Sequence, residues 1–136
     1  RRSLRAHYTS EKNILKVVRP LFLDELHEEF QKILGLKKGK KKALEDFHAK
    51  IASLGFLDPA CGCGNFLIVS YRELRKLELQ VLLALKAETK GDTRFLALDI
   101  RPFIKVSINQ FYGIELEEFP VEIARVSMWL MEHVRF

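Results

Sequence analysis

From residue 14 the apolar positions keep a helical spacing, with Ile14, Leu15, Val17, Val18, Leu21, Phe22, Leu26, Phe30, Ile33 and Leu34 forming one stripe. Thr9-Ser10 supplies an N-cap ahead of Glu11 to Asn13, since a short side-chain oxygen satisfies an unpaired N–H of the first turn. Pro20 has no N–H and crowds the preceding turn, so it is expected to kink or split this helix. Gly35 is expected to end it. The run Lys37-Lys38-Gly39-Lys40-Lys41-Lys42 reads as a solvated loop. A second helix follows from about Ala43 to Ser53, with Leu44, Phe47, Ile51 and Leu54 on one side.

The pattern then shortens. Gly55-Phe56-Leu57-Asp58 is a brief apolar run that predicts a first, buried strand of a parallel sheet. Asn65 to about Lys86 predicts a crossover helix with a wide apolar face: Leu67, Ile68, Tyr71, Leu74, Leu77, Leu79, Val81, Leu82 and Leu85. Arg72, Glu73, Arg75, Lys76 and Glu78 are expected to point outward. Residues 87–108 fit no single pattern, with Gly91-Asp92 marking a turn. Asn109 to Glu115 is aromatic and β-branched and predicts a second strand. A last helix starts near Phe119-Pro120 and carries Ile123, Ala124, Val126, Ser127, Trp129, Leu130 and Val134. The expected fold is α/β, a partial Rossmann-like βαβ unit over residues 55–136 behind a helical segment over residues 1–54.

The chemistry concentrates between the first strand and the crossover helix, in Asp58-Pro59-Ala60-Cys61-Gly62-Cys63-Gly64-Asn65-Phe66-Leu67. Gly62 and Gly64 leave no Cβ to block a ligand, and the helix start offers unpaired N–H groups. That combination suits a nucleotide cofactor. A dinucleotide loop would place a third glycine after Gly64, whereas Asn65, Phe66 and Leu67 follow, which weakens a dehydrogenase reading. The acid closing the second strand of such a unit, Glu115, can accept hydrogen bonds from both ribose hydroxyls. Its distance from the glycine loop exceeds the ~20 residues of the usual fingerprint, so residues 87–108 are expected to hold an insertion.

Composition narrows the class. The chain has 136 residues, 48% of them hydrophobic and 30% charged, enough for one domain with a core, and charge interrupts every apolar run before it can span a membrane. The net charge of +5 and pI near 9.3 allow a polyanionic partner but are modest. They come largely from the N-terminal arginines and the lysine run, where phosphate contact is the alternative to simple solvation. Cys61 and Cys63 are too close for an unstrained disulfide and lack a second pair for zinc, so free thiols, no metal and a cytoplasmic location are expected. The N-terminus has neither an initiator Met nor a secretory signal, as expected of an interior piece of a longer protein.

The Asp58–Phe66 loop resembles motif I of the amino-methyltransferases that modify DNA, D-P-A-C-G-S-G-x-F, with Cys63 where serine is usual. Phe111 to Ala124 resembles their motif II region. His7-Tyr8-Thr9-Ser10-Glu11 resembles their motif X, which in the family lies against the methionine part of S-adenosylmethionine. In this order the three resemble the cofactor half of an adenine-specific, class I DNA methyltransferase of the kind found in single-chain restriction-modification proteins. The resemblance implies S-adenosylmethionine as cofactor, bound by Tyr8, Thr9, Asp58, Pro59, Ala60, Cys61, Gly62, Gly64, Asn65, Phe66, Glu115 and Leu116. Asp58 would hold the methionine amino group or a loop N–H, and Glu115 the ribose. Phe66 and either Ile114 or Leu116 would flank the adenine ring.

It also implies methyl transfer to the exocyclic amine of adenine in double-stranded DNA, with the base extruded into a pocket. The family's catalytic D/N-P-P-Y/F element is not in this sequence, whose prolines are Pro20, Pro59, Pro102 and Pro120. No catalytic residue is therefore expected here, and the catalytic and target-recognition domains are expected beyond the C-terminus. Rival readings are a non-catalytic cofactor- or nucleic-acid-binding module, or a methyltransferase acting on RNA or a protein amide, because a cofactor loop does not read the acceptor.

Overall fold

Ser10 takes up extended backbone (φ −63°, ψ 150°) and its hydroxyl accepts from the Asn13 N–H at 3.3 Å, so the first helix, α1, begins at Glu11 (Glu11–Val18). The computed structural model describes residues 10–59, 65–89 and 100–113, with helical positions at 125, 126, 128–130 and 132. Pro20 splits the first stripe as expected. Arg19–Leu23 is a π-helical segment, a widened turn, and α2 (Asp24–Leu34) resumes beyond it. Gly35 ends α2 at φ −82°, its N–H bonding to the carbonyls of Gln31 and Lys32, both at 3.2 Å.

The lysine run is only half a loop. Gly39, at φ 71°, turns the chain in a left-handed conformation that favours glycine, and α3 starts at once with Lys40 (Lys40–Ser53). Lysine is a good helix former, and Lys42 pairs with Asp46 one turn on at 3.2 Å, while Lys40 reaches Glu88 at 3.6 Å. Leu44, Phe47 and Ile51 are buried, as their spacing predicts.

The chain then forms β1 (Phe56–Asp58), α4 (Asn65–Glu88) and β2 (Phe111–Gly113). The two strands are parallel and pair Phe56 with Phe111, Leu57 with Tyr112 and Asp58 with Gly113. This is a small two-stranded sheet with α4 as its crossover. The second strand is shorter at its start than predicted, because Ile108–Gln110 is a 3₁₀ turn capped by the Ser107 hydroxyl. A further 3₁₀ turn, Arg101–Phe103, occupies the stretch that fitted no pattern. The sequence-predicted last helix falls mostly outside the described residues.

The core runs along α4. Leu67, Tyr71, Leu74, Leu77, Val81, Leu82 and Leu85 pack against Leu26 and Phe30 of α2, Leu44, Phe47 and Ile51 of α3, and Val106. A satellite cluster joins Ile14, Val18 and Leu23 to Val69. Outside the core, an ion pair between Glu11 and Arg72 ties α1 to α4, and the Arg72 guanidinium, by hydrogen bond and charge, holds the Glu11 carboxyl below its usual range. Among the described residues no helix is long and apolar enough to cross a membrane.

Some expectations are corrected. Arg75 and Glu78 do not face outward; Glu78 is 1% exposed, because its position lies four residues after Leu74 and three before Val81, within the apolar stripe. Arg75 Nη1 donates to the Tyr71 hydroxyl at 2.7 Å, and burial pushes that hydroxyl above its ordinary value despite the nearby cation. Val17 and Leu21 are not buried, and β1 is not a fully buried strand, since Leu57 is 63% exposed. The physical reason is one-sided cover: the pleat sends Phe56 and Phe111 one way, toward Phe22 and Tyr71, and Leu57 and Tyr112 the other.

Ile51 is fully buried between α3 and α4 and also offers its carbonyl to Gln110. Ile51→Ala is expected to destabilise the fold by about 2–5 kcal/mol through the cavity it leaves. A urea titration checks this; a loss under about 0.5 kcal/mol, the scale of surface substitutions, would contradict the packing described.

Candidate cofactor site

The carboxyl ends of parallel strands leave a sheet on the same side. β1 ends at Asp58, Pro59 begins a turn, and α4 starts at Asn65, so the glycine loop joins the end of β1 to the N-terminus of α4. β2 ends at Gly113, the register partner of Asp58, and Glu115 follows two residues later in the sequence. Crevices of this kind, outside the carboxyl ends of adjacent strands, are where open α/β sheets bind ligands.

Beside β1 lies a cavity of about 530 Å³, within the size range of small-molecule sites. Asp58 and Phe66 both line it, so the structure brings together these two sequence-predicted residues from the end of β1 and the first turn of α4. Among the described residues, Asp58 brings the only carboxylate in the lining and Ser70 a hydroxyl. Val17, Val18, Leu21 and Phe22 line it from α1 and the π-helical segment. Phe22 also meets Phe56 with ring centroids 4.7 Å apart. Pro59 is exposed in the turn and Asn65 is half-buried at the helix start. Tyr8, Thr9, Ala60, Cys61, Gly62, Gly64, Glu115 and Leu116 lie outside the described residues, as do Ile114 and Cys63.

The sequence reading missed two features. One is the helical wall: Val17 and Leu21 are 50% and 71% exposed beside the cavity, and being apolar at i and i+4 they were read with the buried stripe. The other is a buried polar network behind the strands. Glu78 Oε2 lies 2.7 Å from His48 Nε2 and accepts the N–H groups of Lys105 and Val106 at 2.7 and 2.9 Å. Since that oxygen already receives two N–H donors, the hydrogen of His48 is assigned to Nε2. Gln110 Nε2 donates to the carbonyls of Ile51 and Leu54 at 2.8 and 2.9 Å, satisfying acceptors at the end of α3. The signal for Glu78 was an acid on a leucine stripe; for Gln110 the Ser107-x-x-Gln110 capping box marks its bond to the Ser107 N–H, but nothing local marks Ile51 and Leu54, which are more than 50 residues away in sequence.

Comparison with known proteins agrees with this geometry. The family model for the MmeI DNA-methyltransferase domain matches residues 34–135. DNA methyltransferase A of Bacillus subtilis (strain 168) is 42% identical over 127 residues, 93% of this chain and 13% of that protein. A putative type II restriction enzyme and methyltransferase of Methanocaldococcus jannaschii is 30% identical over 109 residues, 79% of this chain and 8% of its own length. The solved structure of the type IIL restriction-modification enzyme MmeI in complex with DNA superposes with a TM-score of 0.81 at 53% identity, covering 96% of this chain and 16% of that one. The chain thus spans a small part of the relatives it matches, and it belongs to the MmeI DNA-methyltransferase-domain family.

Proposed function

We propose that this chain is the donor half of a DNA methyltransferase, binding S-adenosylmethionine at the carboxyl ends of β1 and β2, while the whole polypeptide methylates the exocyclic amine of adenine in double-stranded DNA. The observation that carries the reading is the Asp58–Gly113 register, which sets the start of the glycine loop beside the strand that leads to Glu115. In open α/β sheets, the opening outside the carboxyl ends of the strands is where ligands bind.

Each residue has a part in that opening. Asp58 receives the methionine amino group or a loop N–H, with Pro59 and Ala60 following it along the cofactor. Gly62 and Gly64, with no Cβ, let a ligand approach the backbone next to Cys61, and Asn65 opens the helix whose N–H groups favour polar ligands. Phe66 supplies an apolar face, with Leu116 or Ile114 opposite. Glu115 takes the ribose hydroxyls, and Tyr8 and Thr9 lie against the methionine end. S-adenosylmethionine, when bound, supplies a methyl group on a positively charged sulfur, which an amine can accept. The chain has no Pro-Pro pair, so orienting that amine is assigned to the remaining domains of the polypeptide. DNA as acceptor is supported by the relatives' names and by the DNA complex of the structural neighbour.

Titration calorimetry on the whole protein is expected to show binding of both S-adenosylmethionine and S-adenosylhomocysteine. Absence of both, in protein whose circular dichroism confirms folding, would overturn the cofactor reading, and NADH binding instead would restore a dinucleotide enzyme. Glu115→Gln is expected to weaken cofactor binding by about 1–3 kcal/mol, the scale for hydrogen bonds to a charged group, with little change in thermal stability. Unaltered affinity would remove Glu115 from the site.

The 136-residue chain alone is expected to transfer no labelled methyl group to mixed-sequence DNA, because holding donor and acceptor together contributes roughly 7–11 kcal/mol that one half cannot supply. The whole protein, assayed alongside, is expected to label the DNA. Label from the chain alone would overturn the division between donor and acceptor halves.

A further inference from the structure

Segments far apart in sequence meet on one carboxylate oxygen. Glu78 Oε2, on α4, contacts His48 Nε2 of α3 and receives the N–H groups of Lys105 and Val106, which precede β2. The pair is almost sealed from water, with side chains 4% exposed for His48 and 1% for Glu78. Glu78 Oε1 makes no hydrogen bond among the described residues but faces Arg75 Nε at 3.6 Å.

Packing alone does not call for this arrangement. A leucine in place of Glu78 would continue the apolar stripe of α4, and burying a carboxylate costs free energy that paired hydrogen bonds only offset. What an acid provides, and a leucine does not, is a fixed direction for the two N–H groups of an irregular segment. The same segment is held again a few residues later. Gln110 Oε1 accepts the Ser107 N–H at 2.9 Å while its Nε2 grips the carbonyls of Ile51 and Leu54, just ahead of β1. The approach to β2 is therefore tied to α4 at one end and to the approach to β1 at the other.

We propose that Glu78 is a positioning residue for cofactor binding: by holding Lys105 and Val106 against α4, it sets the register in which β2 meets β1 and hence where the carboxyl end of β2 lies relative to Asp58. A slip of one residue would take Phe111 out of its stack on Phe56, whose ring it meets at 4.8 Å, and move the end of the strand with it. The inference rests on the cofactor reading above. It adds a residue remote in sequence from the glycine loop that acts through strand placement rather than by touching ligand.

The test is calorimetric binding of S-adenosylhomocysteine to the whole protein and its Glu78→Leu, Glu78→Gln, Glu115→Gln and Glu78→Leu/Glu115→Gln variants. Glu78→Leu is expected to weaken binding about tenfold, and Glu78→Gln, which keeps an oxygen acceptor, by less than about threefold. Because Glu78 acts on the strand that leads to Glu115, Glu78→Leu is expected to add under about twofold in the Glu115→Gln background, the non-additivity of coupled positions. Wild-type affinity in Glu78→Leu would overturn the proposal, and so would a full additional loss in the double variant, which marks general damage to the fold. If Glu78→Leu does not fold, Gln110→Ala releases the other tie and is judged by the same two outcomes. A wild-type protein that binds no S-adenosylhomocysteine overturns the cofactor reading itself, and this proposal with it; wild-type binding with insensitive variants overturns the role of Glu78 alone.

Discussion

Two parallel strands of three residues each cannot hold one another in register. Parallel ladders are somewhat weaker per residue than antiparallel ones and have no tight turn to align them. Everything that places β1 beside β2 must come from elsewhere in the chain, and here it comes from side chains. On the covered face, Phe22, Phe56, Phe111 and Tyr71 form a continuous file of aromatic contacts. Behind it, Glu78 and Gln110 fix the backbone that leads into β2. The sheet is thus positioned from its amino ends, which leaves its carboxyl ends to the site.

Helix α4 serves both purposes. Its apolar face is the spine of the core, against α2 and α3, and its first turn borders the glycine loop and the cavity. The same helix carries Phe66, in the cavity lining, near one end and Glu78, in the buried polar network, more than three turns later. The N-terminal helices contribute in a second way, through Val17, Leu21 and Phe22, which line the cavity together with Asp58.

Periodicity made the helices legible, and the split at Pro20, the N-cap at Ser10 and the parallel strand-helix-strand order follow from local chemistry that any reader of the sequence can apply. The glycine loop stands out in the sequence because its residues are contiguous, and residues 60–64 of it lie outside the described residues. What the pattern did not disclose depends on contacts across long separations: the inward turn of Glu78, the grip of Gln110 on Ile51 and Leu54, and the exposure of Leu57 and Val17. An acid on a leucine stripe looks the same in sequence whether it reaches solvent or finds His48, and only the packing of α3 on α4 decides which. The lysine run misled for a different reason, since a left-handed glycine can start a helix as readily as it can sit in a loop.

We propose above that the ends of β1 and β2 hold the methyl donor. Amide hydrogen exchange on the whole protein, with and without saturating S-adenosylhomocysteine, tests it without altering any residue. Slowed exchange is expected in peptides covering residues 58–66 and 111–116 when ligand is present. Slowing confined to other parts of the protein, with these two stretches unchanged, would contradict it.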